Sequence, residues 1–143
     1  MKTSYWLSGS LSLLLLLLLV TPGSAQKPDK VSVFMRAKLL NSQKIIEGLA
    51  TEDFDLIAKN AQQMSLLSLA EDWQVLETPE YNQHSMEFRR IADALTDAAK
   101  KKNLDGAALH YVDVTLKCVN CHKYVRKVKT AQLERASDKA IGR

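Results

Sequence analysis

The sequence predicts an all-α fold, specifically an antiparallel four-helix bundle, and three observations predict it. Apolar residues recur at helical spacing through four separate stretches between Asp29 and Lys129. No stretch shows the apolar–polar alternation or the β-branched clustering of a strand. The stretches are joined by short turns, and short turns set consecutive helices side by side in opposite directions.

The first helix is expected to begin after Pro28-Asp29 and to run to about Glu47, with Gly48 ending it. Met35, Leu39, Ser42, Ile46 and Leu49 form its apolar stripe. Thr51 is the expected cap of the second helix, with Glu52, Asp53 and Asp55 favourably placed against the helix dipole. That helix carries Phe54, Ile57, Ala61, Met64 and Leu67 or Ser68 on one side. Thr78-Pro79-Glu80 starts the third helix, a capping hydroxyl followed by proline at the first helical position. Its inward residues are His84, Phe88, Ile91, Leu95 and Ala98, and it frays at Lys100-Lys101-Lys102. Asp105 is the expected cap of the last helix, whose stripe reads Ala108, Val112, Thr115, Val119 and His122. Beyond about Lys129 the apolar face is lost and fraying is expected. Met64 and Met86 are assigned to packing, and Trp73 to the core or a bundle end.

The 143 residues are 46% hydrophobic and 25% charged, the balance of a soluble protein with room for one domain. Residues 1–25 have the pattern of a secretory signal peptide. Lys2 supplies the basic start, Leu11 to Val20 is almost wholly apolar, and Thr21-Pro22-Gly23-Ser24-Ala25 offers small residues before a cut. Spanning a bilayer takes roughly 20 apolar residues, so an uncleaved anchor fits poorly. Cleavage after Ala25 leaves one domain, residues 26–143, which is 118 residues with a formal charge of +3 because only Lys2 is lost. Export to the periplasm is the expected destination, with no stable membrane anchor after cleavage. Charge is unevenly distributed: Glu47 to Glu80 holds eight acids and one base, and Lys117 to Lys129 holds five bases and no acid. The modest net charge and the export signal both argue against a nucleic-acid partner.

The sharpest motif is Cys118-Val119-Asn120-Cys121-His122. Cys-x-x-Cys-His is the attachment signature of c-type haem. Each thiol adds across a haem vinyl group to give a thioether, and the adjacent histidine ligates iron. On a helix, at about 100° per residue, Cys118 and His122 lie roughly 40° apart with Cys121 on the neighbouring edge. One face can therefore present both linkers and the axial ligand. A disulfide between two cysteines one helical turn apart has poor geometry. A thioredoxin-like redox pair needs a βαβ setting that is absent. Zinc needs a fourth ligand, and neither His84 nor His110 has suitable spacing. The expected cofactor is thus one covalent haem c with its iron, held by Cys118, Cys121 and His122.

On these residues the chain resembles the class II c-type cytochromes, the cytochrome c′ type. Those proteins are four-helix bundles with the haem motif near the end of the last helix. Asn103-Leu104-Asp105, Tyr111, Asp113 and Val114 stand before Cys118 at distances that suit that family's last helix. The resemblance places Arg126 on the proximal side of the haem, four residues after His122. Where the family has an aromatic residue one position earlier, this chain has Val125, with Tyr124 before it. The resemblance also implies that a first-helix residue stands over the iron, and two registers supply it. Anchoring on Arg36 selects Leu40. Anchoring on Ile45-Ile46-Glu47-Gly48 followed by Asp53 selects the segment from Ser32 to Met35. Met35 is the candidate sixth ligand, since thioether sulfur binds haem iron.

Two functions follow. An electron carrier cycling between ferric and ferrous iron would use Lys117, Lys123, Arg126 and Lys127 to steer an acidic redox partner. A five-coordinate haem open on its distal side would bind nitric oxide or carbon monoxide, and requires Leu39 or Leu40 over the iron. No enzymatic turnover is expected, because no nucleophile, general base and substrate cleft can be assembled from the sequence. The resemblance extends to a homodimer.

Overall fold

A computed structural model describes residues 29–70 and 75–142. The proposed signal peptide and Trp73 lie outside the described residues. The described chain is all-helical, with four helices: α1 (Lys30–Thr51), α2 (Phe54–Leu67), α3 (Pro79–Lys100) and α4 (Leu104–Ile141). Each packs on its neighbour in sequence, and α4 returns to touch α1 more sparsely than it packs on α3.

The helix starts are set by side-chain acceptors for otherwise unpaired amides. Asp29 Oδ1 accepts from the Ser32 N–H at 2.6 Å. Thr78 Oγ1 accepts from the Tyr81 N–H ahead of Pro79, as the sequence predicts. Two expected caps are displaced. Asp53, not Thr51, caps α2 by accepting from the Leu56 N–H, while the Thr51 hydroxyl donates back to the Glu47 carbonyl from inside α1. Asn103, not Asp105, caps α4 by accepting from the Gly106 N–H.

Helix α1 also runs past Gly48 to Thr51, and Glu52 closes it at φ 56°, its N–H donating to the Gly48 carbonyl. Gly48 is needed for close packing. A Cβ there would lie 2.8 Å from Ile57 Cγ1 and 3.0 Å from the Asp53 carbonyl oxygen.

The α2 and α3 stripes are as expected, with Ile57, Ala61, Met64, Ser68, Phe88, Leu95 and Ala98 all buried. The α1 stripe is not. Leu39 is 58% exposed and Ile46 49% exposed, and the inward line is Phe34, Lys38, Asn41, Ile45 and Gly48. Apolar residues surround most of α1, so several stripes fit its sequence; the close approach at Gly48 selects this one.

Helix α4 is rotated in the same sense. Ala108, Val112, Thr115, Val119 and His122 are exposed, and the core-facing line is Ala107, Tyr111, Val114, Cys118, Cys121, Val125 and Val128. Cross-helix bonds hold that rotation: Ser42 Oγ to Tyr111 Oη at 3.1 Å, and Lys117 Nζ to Glu87 Oε2 at 2.6 Å. The helix continues to Ile141 where fraying is expected beyond Lys129, although almost every side chain past Lys129 is exposed. Met86, assigned to packing, is 55% exposed, whereas Met64 is buried.

The core falls into two clusters. The larger is built on Ile45, Ile57, Met64, Leu95 and Val114, with Cys118 at its edge. The smaller is built on Leu76 and Tyr81, with Met35, Cys121, Tyr124 and Val125 around them. The two cysteines therefore stand on opposite sides of the division.

Candidate functional site

At that division lies an apolar cleft enclosing about 40 Å³ of free space. Helix α4 contributes Lys117, Cys118, Cys121 and His122, α1 contributes Met35 and Lys38, and α3 contributes His84, Ser85 and Phe88. All three motif residues thus reach one cleft. Both cysteines are free thiols and half-buried, while His122 lies on the rim and is exposed. Their relative placement follows from the rotation of α4: Cys118 and Cys121 belong to its core-facing line, and His122 stands at its edge. Among the described residues no three His, Cys, Asp or Glu side chains converge as a metal-binding cluster.

Burial pushes the thiols of Cys118 and Cys121 above the usual cysteine value, and the Lys38 ammonium opposes that shift. Lys38 is itself displaced. Burial lowers it from 10.5 to about 8, and negative charge on either cysteine would pull it back up. Its Nζ sits 4.6 Å from the centroid of the Phe88 ring, a cation–π contact. Periodicity does not single out Lys38, because a lysine between apolar residues on an ambiguous helix reads as a solvated position.

Met35 lies in the cleft, on the α1 turn before Lys38. Leu39 and Leu40, the other first-helix candidates, are 58% and 57% exposed and face away from it. Arg126 is exposed, one turn beyond His122. His84 is half-buried, its ring 5.4 Å from that of Tyr124, and the Tyr124 hydroxyl is 2.7 Å from Thr78 Oγ1. His110 lies outside the cleft, its Nδ1 buried without a hydrogen-bond partner. Lys117 is engaged with Glu87, and this pairing together with the Gln83 contact holds the Glu87 carboxyl below its usual range. Lys117 is therefore committed within the chain, and Lys123, Arg126, Lys127 and Lys129 make up the exposed basic surface.

The residues fit a thioether-linked porphyrin in donor chemistry: two free thiols on one helix face, a histidine beside the second, and a thioether across the cleft. The enclosed space, about 40 Å³, is far smaller than a porphyrin, so the walls would have to part to admit one. The cleft lies along the sparse α1–α4 contact, with Met35 and Lys38 on one side and the thiols on the other. No helix among the described residues is long and apolar enough to cross a membrane. Together, fold and site define an all-helical protein with a Cys-x-x-Cys-His motif on its last helix. No protein-family model, curated protein or solved structure matches the chain.

Proposed function

We propose that this chain is an exported monohaem c-type cytochrome of the class II kind, an antiparallel four-helix bundle that carries electrons in the periplasm. The observation that carries this reading is that its only two cysteines are free, share one apolar cleft, and are followed directly by His122. Cys118 and Cys121 would hold the haem as thioethers, and His122 would ligate its iron. When bound, the haem supplies reversible one-electron chemistry between ferric and ferrous iron.

The chain's own residues would do the rest. His122 donates an imidazole nitrogen from the α4 edge, and Met35 offers sulfur from α1. Phe88 and the apolar walls exclude water, and low polarity around a haem is one of the protein's means of setting its potential. Arg126 would lie on the proximal side. Lys123, Lys127 and Lys129 present positive charge next to the motif and would orient an acidic partner, an attraction that salt weakens.

The test is chemical. The protein is produced in cells competent in cytochrome maturation, denatured and extracted with acid. Haem that stays with the polypeptide, and is lost in the Cys118→Ser, Cys121→Ser variant, is the expected result; pigment that washes out, or never forms, refutes the reading. Steering is tested with Lys127→Glu, Lys129→Glu: electron transfer to an acidic partner should slow and lose salt sensitivity, and unchanged kinetics would remove that role.

A further inference from the structure

Helix α1 sends two side chains into the cleft, Met35 and, one turn on, Lys38. Lysine is among the residue types least often buried, yet the packing of α1 turns this one inward. Two turns further along the same face stands Ile45, which is fully buried. The Ser42 Oγ to Tyr111 Oη bond at 3.1 Å fixes that rotation of α1 against α4. Lys38 Nζ thereby comes to rest 4.6 Å from the centroid of the Phe88 ring on α3. The other cations around the cleft are turned elsewhere. Lys117 is bonded to Glu87 at 2.6 Å, and Arg89 donates to the Ser68 carbonyl and to Ser85 Oγ. Lys38 is the cation whose charge acts on both Cys118 and Cys121.

We propose that Lys38 tunes the reduction potential of this site, its ammonium in the cleft raising the potential by disfavouring the ferric state. The inference rests on the proposed haem at Cys118 and Cys121, because a porphyrin tied to both sulfurs lies within reach of the charge that acts on both. Ferric haem carries one positive charge more than ferrous haem. A fixed ammonium beside it therefore repels the oxidised form more than the reduced one. The apolar walls strengthen this effect, since low polarity leaves charges poorly screened. Unit charges about 10 Å apart, at the effective dielectric of a protein, still shift an equilibrium by about tenfold. Lys38 acts through space and takes no place at the iron, so its role is separate from those of His122 and Met35.

Spectroelectrochemical titration of the haem-loaded protein tests this at about pH 6, below the value of about 8 that burial gives Lys38, so that the charge is present. Lys38→Leu removes the charge and offers iron no ligand. It should lower the one-electron equilibrium for reduction by about tenfold, or about 59 mV, with absorption spectra unchanged in both oxidation states. Lys38→Arg keeps the charge and should stay within about twofold of wild type in the same equilibrium. Lys38→Gln, neutral and polar, supplies the same comparison should the leucine variant mature poorly. Neutral variants with the wild-type potential, or an arginine variant shifted as far as they are, would overturn the proposal. So would a spectrum altered by loss of Lys38, which would put that residue at the iron. Acid extraction keeps the two readings apart. Haem retained with an unmoved potential removes the role of Lys38 alone, whereas haem that never attaches to the wild type removes both.

Discussion

Replacing Lys38 with methionine should stabilise the haem-free protein. In the folded chain burial lowers the Lys38 ammonium from 10.5 to about 8. A depression of that size weighs about 3 kcal/mol against the charged form. The contact with the Phe88 ring at 4.6 Å returns about 1 kcal/mol, leaving a net cost of about 2 kcal/mol that Lys38→Met removes while keeping the cleft filled. For a domain of this size that raises the melting temperature by roughly 6–10 °C at pH 7. The pH dependence has a definite sign. Between about 8 and 10.5 the unfolded chain holds the lysine proton and the folded chain does not, so wild-type stability gains with rising pH in that window. The variant lacks this gain, and the gap between the two proteins should narrow above pH 8. Because the Lys38 charge also acts on the Cys118 and Cys121 thiols in the same cleft, the difference is taken in a Cys118→Ser, Cys121→Ser background. Thermal and urea unfolding of both proteins from pH 7 to 10 is the assay. A variant that melts no higher than wild type at pH 7, with a gap that is flat in pH, refutes the claim that desolvation dominates at Lys38.

Three further substitutions probe ligation and packing. Met35→Ala in the haem-loaded protein should convert a six-coordinate ferrous spectrum into one that responds to carbon monoxide; an unaltered spectrum would remove Met35 from the iron. Leu95→Ala empties a fully buried site in the larger cluster and should cost about 2–5 kcal/mol in urea unfolding, with a cost under about 1 kcal/mol contradicting tight packing there. Gly48→Ala forces a Cβ to 2.8 Å from Ile57 Cγ1 and 3.0 Å from a backbone oxygen. About 1–3 kcal/mol should be lost, and a stabilised variant would mean that the α1–α2 approach is looser than described.

The sequence showed the helices plainly and their rotations poorly, for a physical reason. On α2 and α3 the apolar residues are confined to one side by Asp55, Lys59, Gln62, Gln83, Arg90 and Asp97, so periodicity alone selects the buried face. On α1 and α4 leucines and valines occur on most sides, and several stripes satisfy the same period. What decides there is non-local: the Gly48–Ile57 approach, the Ser42–Tyr111 bond and the Lys117–Glu87 pair. None of these leaves a mark in a window of adjacent residues. The Cys118–Cys121–His122 motif needs no tertiary information to be noticed, since its chemistry resides in the spacing. The cleft wall does need it, and Lys38 and Phe88 emerged as neighbours of the thiols only once α1 and α3 were in place. The committed Lys117 is the converse case, a charge that reads as free surface until its partner on α3 is seen.

The division of the core implies uneven stability. Among the described residues the larger cluster holds eleven buried side chains, whereas the smaller holds Leu76 and Tyr81 with half-buried neighbours. Apolar burial supplies most of the driving force for folding, at about 25 cal/mol per Å². Without a group in the cleft, the turns of α4 from Cys121 to Val128 and the start of α3 near Tyr81 are therefore the weaker region. A haem tied at both Cys118 and Cys121 would touch both clusters and join them into one cooperative unit. Hydrogen exchange on the haem-free chain should show amides near Tyr81 and from Cys121 to Val128 opening at lower free energy than those near Leu95 and Ile57. Haem attachment should abolish the difference. Uniform protection in the haem-free chain would mean that the two clusters already fold as one, and that the cleft is a packing gap with no energetic consequence.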